Sequence, residues 1–143
     1  MTDKIEHKIL ARKYRPKSFS ELVGQESIVN TINNSIQSNR ISQAYLFTGI
    51  RGVGKTTTAR VLARTLNYTL DNKEYLPSIS FEKKGLNCDA ILESRHPDVF
   101  EMDAASNTGI DNIREIINFA QTRPTMAKYK IFIIDEVHML SRQ

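Results

Sequence analysis

Apolar positions along the chain fall into short periodic stretches separated by polar and glycine-rich segments. Ile28, Ile32 and Ile36 recur at i, i+4 and i+8 with Val29 beside them, which predicts a helix running to about Ser38. Phe19 to Gln25 reads as a turn into that helix, punctuated by Gly24. Gln43-Ala44-Tyr45-Leu46-Phe47-Thr48 is an apolar run of strand length. After a glycine-rich stretch, Ala59, Leu62, Ala63 and Leu66 recur at i, i+3, i+4 and i+7, predicting a helix to about Asn67. Residues 68–85 carry no stable period and read as an exposed insertion, followed by a short helix over about 86–94 that Arg95-His96-Pro97 breaks.

Strand and helix periods then alternate once more. Val99 to Asp103 predicts a second strand. Thr108 and Asp111 resemble a capping box with aspartate in place of glutamate, opening a helix striped by Ile113, Ile116, Ile117 and Ala120 and closed by Arg123-Pro124. Lys130-Ile131-Phe132-Ile133-Ile134-Asp135-Glu136 predicts a strand buried on both faces, as in parallel sheets, ending in two acids. Alternating strands and helices imply an α/β domain with a parallel sheet and helices on both faces.

Composition adds little to this picture and charge adds one local feature. The 143 residues suit one domain, and 40 % hydrophobic and 25 % charged residues are ordinary for a globular fold. A net charge of +4 permits an anionic partner. Much of the excess sits at Lys8, Arg12, Lys13, Arg15 and Lys17, which on composition alone reads as a solvated face. Residues 1–11 read as a short helical arm, and Pro16 holds Arg15 extended. A single cysteine, Cys88, excludes an internal disulfide and fits a reducing compartment. No run approaches a membrane span and Met1 to Leu10 has no apolar signal core, so the expectation is a cytoplasmic protein with no membrane partner.

The chemistry concentrates at two places. Gly49-Ile50-Arg51-Gly52-Val53-Gly54-Lys55-Thr56 reads G-x-x-x-x-G-K-[ST] between a predicted strand and a predicted helix, the context in which this motif cradles phosphates. Glycines admit the backbone angles that turn successive amides inward, at the positive end of the following helix. Lys55 brings a mobile charge to the outer phosphates, and Thr56 a hydroxyl for magnesium. Asp135 and Glu136 end a predicted parallel strand, where ligands of open α/β sheets bind. Asp135 is assigned to the magnesium, and Glu136 to orienting or deprotonating an attacking water. His138, on the same turn, reads as structural or solvent-facing and not as catalytic.

These residues, with Leu10-Ala11-Arg12-Lys13-Tyr14-Arg15-Pro16, Val23-Gly24-Gln25-Glu26, Asp103-Ala104-Ala105-Ser106 and Ile134-Asp135-Glu136-Val137-His138-Met139-Leu140-Ser141, resemble the gamma/tau subunits of bacterial DNA polymerase III, clamp-loader ATPases of the AAA+ class. The resemblance covers nearly the whole chain outside about 68–85. It implies a P-loop (AAA+) fold, ATP and Mg2+ as ligands, and an arm over 1–22 whose Arg12, Tyr14, Arg15 and Pro16, with Val23 and Gly24, enclose the adenine and ribose. It implies partners as well: delta, delta-prime and further gamma/tau subunits, the sliding clamp, and primed DNA. The activity implied is ATP hydrolysis that drives clamp loading in DNA replication, within a holoenzyme that is a DNA-directed DNA polymerase; no residue here points to polymerisation itself. The alternatives are a nucleotide-binding fragment without turnover, or another AAA+ DNA motor such as a branch-migration helicase.

Two departures from the resembling family matter. Its members carry four zinc-binding cysteines in the insertion after the phosphate-loop helix. Here, over 68–95, only Cys88 remains, with Tyr68, Glu82 and Gly85 near the other positions, so no zinc site is expected. The chain also ends at Gln143, after the third core strand. The strand that would lie between the loop-bearing strand and the Asp135 strand falls outside it. The expectation is a partial ATP-binding domain over 1–143 with negligible turnover by itself.

Overall fold

The computed structural model describes residues 10–71, 73–107 and 109–140. Its sheet has two strands, β1 (Val99–Asp103) and β2 (Ile131–Asp135), paired in parallel with Val99 opposite Ile131 and Asp103 opposite Asp135. A parallel pair requires a crossover, and α5 (Ile110–Gln121) lies between the strands in sequence. Side-chain alternation then sorts the layers. Val99, Ile131 and Ile133 pack with Ala63 of α3 (Lys55–Leu66) and Ile91 of α4 (Cys88–Leu92). On the opposite face Phe100 and Phe132 meet Phe119 of α5, with ring centroids 5.6 and 5.3 Å apart. Helices therefore cover both faces, as the alternating periods imply.

A second core lies where α2 (Glu26–Gln37) crosses α3: Phe19, Ile32, Val61, Leu62 and Leu66 are buried together. The amphipathic stripe of α2 is the predicted one, with Ile32 at its centre. In α3 burial exceeds the predicted stripe, and every residue from Val61 to Leu66 is buried, Arg64 and Thr65 included. A turn of 3-10 helix, Phe19–Glu21, and Gly24 at φ +74° lead into α2. Before them lies α1 (Leu10–Lys13), while most of the helical arm expected over 1–11 lies outside the described residues. Among the described residues no helix is long and apolar enough to cross a membrane.

Five expectations need correction. Gln43–Thr48 forms no ladder and is not a strand. A strand exists only through its partners, and between Ala44–Phe47 and β2 lies an open groove of about 800 Å³ instead of a paired strand. For the same reason β2 is not buried on both faces: only Ile133 is fully buried, and Leu46 across the groove is 77 % exposed. The insertion over 68–85 is not simply exposed, since Tyr68, Thr69 and Gly85 are buried and Thr69 bridges to Tyr75. The N-cap of α5 is Gly109 with no side-chain cap bond, and Asp111 faces Arg114. Thr108, the other half of the expected capping box, lies outside the described residues. The stripe on α5 is also shallower than its period suggests, with Ile117 and Ala120 exposed.

Two buried polar side chains fix how the strands meet. The Asn67 amide pairs with the Tyr129 backbone in both directions, accepting from its N–H at 2.8 Å and donating to its carbonyl at 2.9 Å. Asp98, 1 % exposed, accepts the backbone N–H groups of Thr125, Met126 and Ala127 at 2.8, 2.7 and 2.9 Å. Its own carbonyl accepts from Ile131 N at 2.9 Å, so one residue anchors both the start of the ladder and the loop entering β2.

This arrangement predicts acid sensitivity in two stages. Burial holds the His96 imidazole below its usual pKa, against the opposing pull of Asp98, and its Nδ1 accepts from Asp98 N at 3.0 Å. A lowered histidine pKa means the unfolded chain binds the extra proton first, so stability falls as pH drops below about 6.5. Burial raises the Asp98 carboxyl, but its backbone bonds and Thr125 more than reverse this, leaving it below the ordinary range. Its contribution is present above about pH 4 and is lost as pH falls through the folded value. Melting midpoints measured from pH 8 to 3 should stay level to about 6.5, decline, and then drop faster below about 4. His96→Gln should flatten the first decline; a decline that persists in that variant assigns the titration to another group.

Candidate functional site

The glycines of the phosphate loop supply the backbone angles that the motif requires. Gly49, Gly52 and Gly54 sit at φ +149°, +85° and +96°, conformations that residues with a Cβ adopt at a cost. Around Gly52 and Gly54 an added Cβ would meet nothing within 4 Å, so the demand there is conformational. Gly54 in the left-handed region is the N-cap of α3 and makes no side-chain cap. The amides of the first turn are thus left for an anion at the positive end of the helix. Lys55 Nζ donates to Gly49 O at 2.9 Å and Ile50 O at 3.0 Å, folding the ammonium over the loop. Gln25 Nε2 donates to Val53 O at 2.9 Å and so braces the loop from the start of α2.

Across a separation of 79 residues, Thr56 Oγ1 donates to Asp135 Oδ2 at 2.6 Å. The other oxygen of Asp135 accepts from Glu136 N at 3.0 Å. Glu136 follows β2 in the left-handed region, φ +51° and ψ +41°, which turns the chain sharply at the strand end. His138 Nδ1 lies 3.5 Å from Glu136 Oε2, with both side chains substantially exposed. The hydroxyl and carboxylate that the sequence assigns to magnesium are therefore adjacent, beside a carboxylate that is free to reach outward. This donor set of hydroxyl and carboxylate oxygens is the hard type that suits magnesium.

A broad cleft opens between the loop, the acid end of β2 and the basic arm. Gly49, Lys55, Thr56, Asp135 and Glu136 line it, as do Arg15 and Pro16. Its wall contains an ion pair that the sequence reading did not pick out. Arg60 Nε donates to Glu101 Oε2 at 2.8 Å, its terminal nitrogen bonds the other oxygen, and Ser94 Oγ donates to the same carboxylate at 2.7 Å. Burial pushes the Glu101 carboxyl up, and Arg60, Ser94 and the nearby Arg15 more than offset that, so it titrates below the usual range. A charged residue inside the apolar Val-Phe-Glu-Met run was the legible signal for this pair.

The adenine-side residues are brought together only in part. Arg15 and Pro16 reach the cleft wall together with Gly49, Arg51, Gly52 and Gly54. Tyr14 and Val23 are 74 % and 93 % exposed, and they, Gly24, Ile50 and Val53 do not line the cleft. The Arg12 side chain lies outside the described residues. Cys88 is the one cysteine, and its Sγ accepts from Arg64 Nε at 3.0 Å. Among the described residues no three His, Cys, Asp or Glu side chains gather as a metal site would need.

A family model described as DNA polymerase III, delta subunit matches residues 24–143. The sequence is 43 % identical over 136 residues to the DNA polymerase III subunit tau/gamma of Haemophilus influenzae, covering 95 % of this chain and 19 % of that protein. It is 43 % identical over 134 residues to the DNA polymerase III subunit gamma of Buchnera aphidicola subsp. Baizongia pistaciae, covering 94 % and 35 %. It is 41 % identical over 138 residues to the DNA polymerase III subunit tau of Escherichia coli strain K12, covering 95 % and 20 %. The chain spans about a fifth to a third of the length of these curated relatives.

Proposed function

The chain belongs to the family of DNA polymerase III subunits described by the delta-subunit model, with gamma and tau subunits among its relatives, and from that premise we propose that it is the ATP-binding portion of a clamp-loader ATPase with a P-loop, AAA+ fold. The observation that carries this reading is the 2.6 Å bond between Thr56 and Asp135. It joins the two halves of a nucleotide site that sequence spacing alone leaves far apart.

In this reading the triphosphate lies against the amides of Gly52 to Thr56, and Lys55 leaves its loop carbonyls for the outer phosphates. Thr56 and Asp135 would hold magnesium, which would supply positive charge beside the phosphate oxygens. Glu136 accepts the proton of the attacking water. Arg15 and Pro16 close the base side. The assembly-level role is opening a sliding clamp and placing it on primed DNA during replication, together with delta, delta-prime and further gamma/tau subunits. The open groove beside β2 favours a second reading, nucleotide binding without turnover, because no ladder holds the loop-bearing segment against the acids.

The test is an equilibrium titration of the chain with a fluorescent ATP analogue and magnesium. Lys55→Ala removes a charged donor to the phosphates, which should weaken binding at least about tenfold. Affinity that is indifferent to Lys55 would refute the site.

A further inference from the structure

We propose that Arg64 is a positioning residue for the nucleotide cleft: its guanidinium ties the 68–95 segment to the basic arm and holds Arg15 and Pro16 on the cleft wall. Arg64 is 9 % exposed on α3, two turns beyond the phosphate loop. Three residues, two from the 68–95 segment and one from the arm, converge on it. Its Nε donates to the sulfur of Cys88, which is 2 % exposed, at 3.0 Å. Its Nη1 donates to the carbonyl of Lys17, the residue after Pro16 in the arm. Its guanidinium carbon lies 4.2 Å from the centre of the Phe81 ring.

A packed aromatic cluster extends this centre through the insertion. The Phe81 and Tyr68 rings meet at 4.5 Å, tilted 45° to each other, and the Tyr68 hydroxyl donates to Lys83 O at 2.8 Å. Gly85 lies so close to Tyr68 that a Cβ there would come within 2.7 Å of the ring. Tyr68 and Gly85 form this ring contact, and Cys88 accepts a hydrogen bond from Arg64. One thiol cannot satisfy tetrahedral zinc. A planar cation with several donors can instead bond a sulfur and a carbonyl while lying on a ring. The bond to Lys17 reaches beyond the insertion. It fixes the arm at Lys17, which lines the cleft beside Arg15 and Pro16, and Glu21 braces the same residue by accepting from Lys17 N at 2.9 Å.

The inference rests on the nucleotide-site reading, and its test separates the two. Cys88 is the only thiol in the chain, so its reaction rate with a disulfide reagent reports this cluster alone. The wild-type chain should purify without stoichiometric zinc, and a chelator should leave the thiol protected. Arg64→Met should speed the thiol reaction and weaken the fluorescent ATP analogue, each by about tenfold, while leaving affinity for inorganic tripolyphosphate within about twofold. Arg64→Lys should recover part of both effects. Phe81→Leu removes the ring and keeps the cation; it should shift both readouts in the same direction by less, and it serves if Arg64→Met fails to fold. Equal loss of ATP and tripolyphosphate affinity would mean general damage to α3 and would overturn the positioning role. An unchanged ATP affinity in Arg64→Met, or bound zinc whose removal frees the thiol, would overturn it as well. A wild-type chain that binds neither ligand sinks the nucleotide-site reading, and this inference with it.

Discussion

Asp98→Ala should destabilise the fold by roughly 4 kcal/mol, the largest loss expected from any single side chain outside the apolar core. Its carboxylate satisfies three consecutive backbone N–H groups, and the Thr125 hydroxyl lies 3.2 Å from the same group. Removing it leaves those donors where little protein can replace it, at about 1–3 kcal/mol for each buried orphan, lessened where water enters. A domain of this size has only about 5–15 kcal/mol in total. Asp98→Asn discriminates the mechanism. An amide oxygen can still accept from Met126 and Ala127, but its NH2 then confronts Thr125 N, so this variant should fall between wild type and alanine. Chemical denaturation is the measurement. If Asn and Ala are equally destabilised by less than about 1 kcal/mol, the loop is held by something other than this carboxylate. The effect should also reach the site, because Asp98 sets where β2 begins and β2 carries Asp135 at its far end.

Much of the site was legible in the sequence for a physical reason. The Gly49–Thr56 loop and the acids closing β2 are local chemistries, each readable from a few adjacent residues and their flanks. The helices behind them announce themselves by period: α2, α3 and α5 lie close to where the apolar spacing puts them. What escaped was everything that depends on a distant partner. Nothing in the sequence marks Asp98, Asn67 or Arg64 as buried, because what allows each to be buried is a carbonyl, an amide or a sulfur contributed from elsewhere in the chain. Gln43–Thr48 fails in the opposite sense: its composition is that of a strand, but composition cannot supply a ladder. Tyr68 and Phe81 were hidden in a segment without periodicity, where two aromatics thirteen positions apart meet only in the fold.

Glu136 supplies the other large effect. Glu136→Gln should leave ATP binding within about twofold and lower turnover by about 10²–10⁴, because the amide keeps the shape and loses the proton acceptor. A further variant tests whether the carboxylate or the backbone explains why glutamate stands there. Glu136 holds φ +51° without being glycine, a conformation that costs a residue with a Cβ about 1 kcal/mol. Glu136→Gly relieves that strain, so it should match or exceed wild type in stability while losing turnover as fully as the glutamine variant. Stability and activity moving in opposite directions at one position is the signature of strain kept for chemistry. Single-turnover hydrolysis and thermal unfolding of both variants, measured with the proposed partner subunits present, check the pair. Turnover at the wild-type rate in Glu136→Gln would remove Glu136 as the base. A glycine variant less stable than wild type would instead mean that the side chain, through contacts such as its approach to His138, helps hold the turn that ends β2.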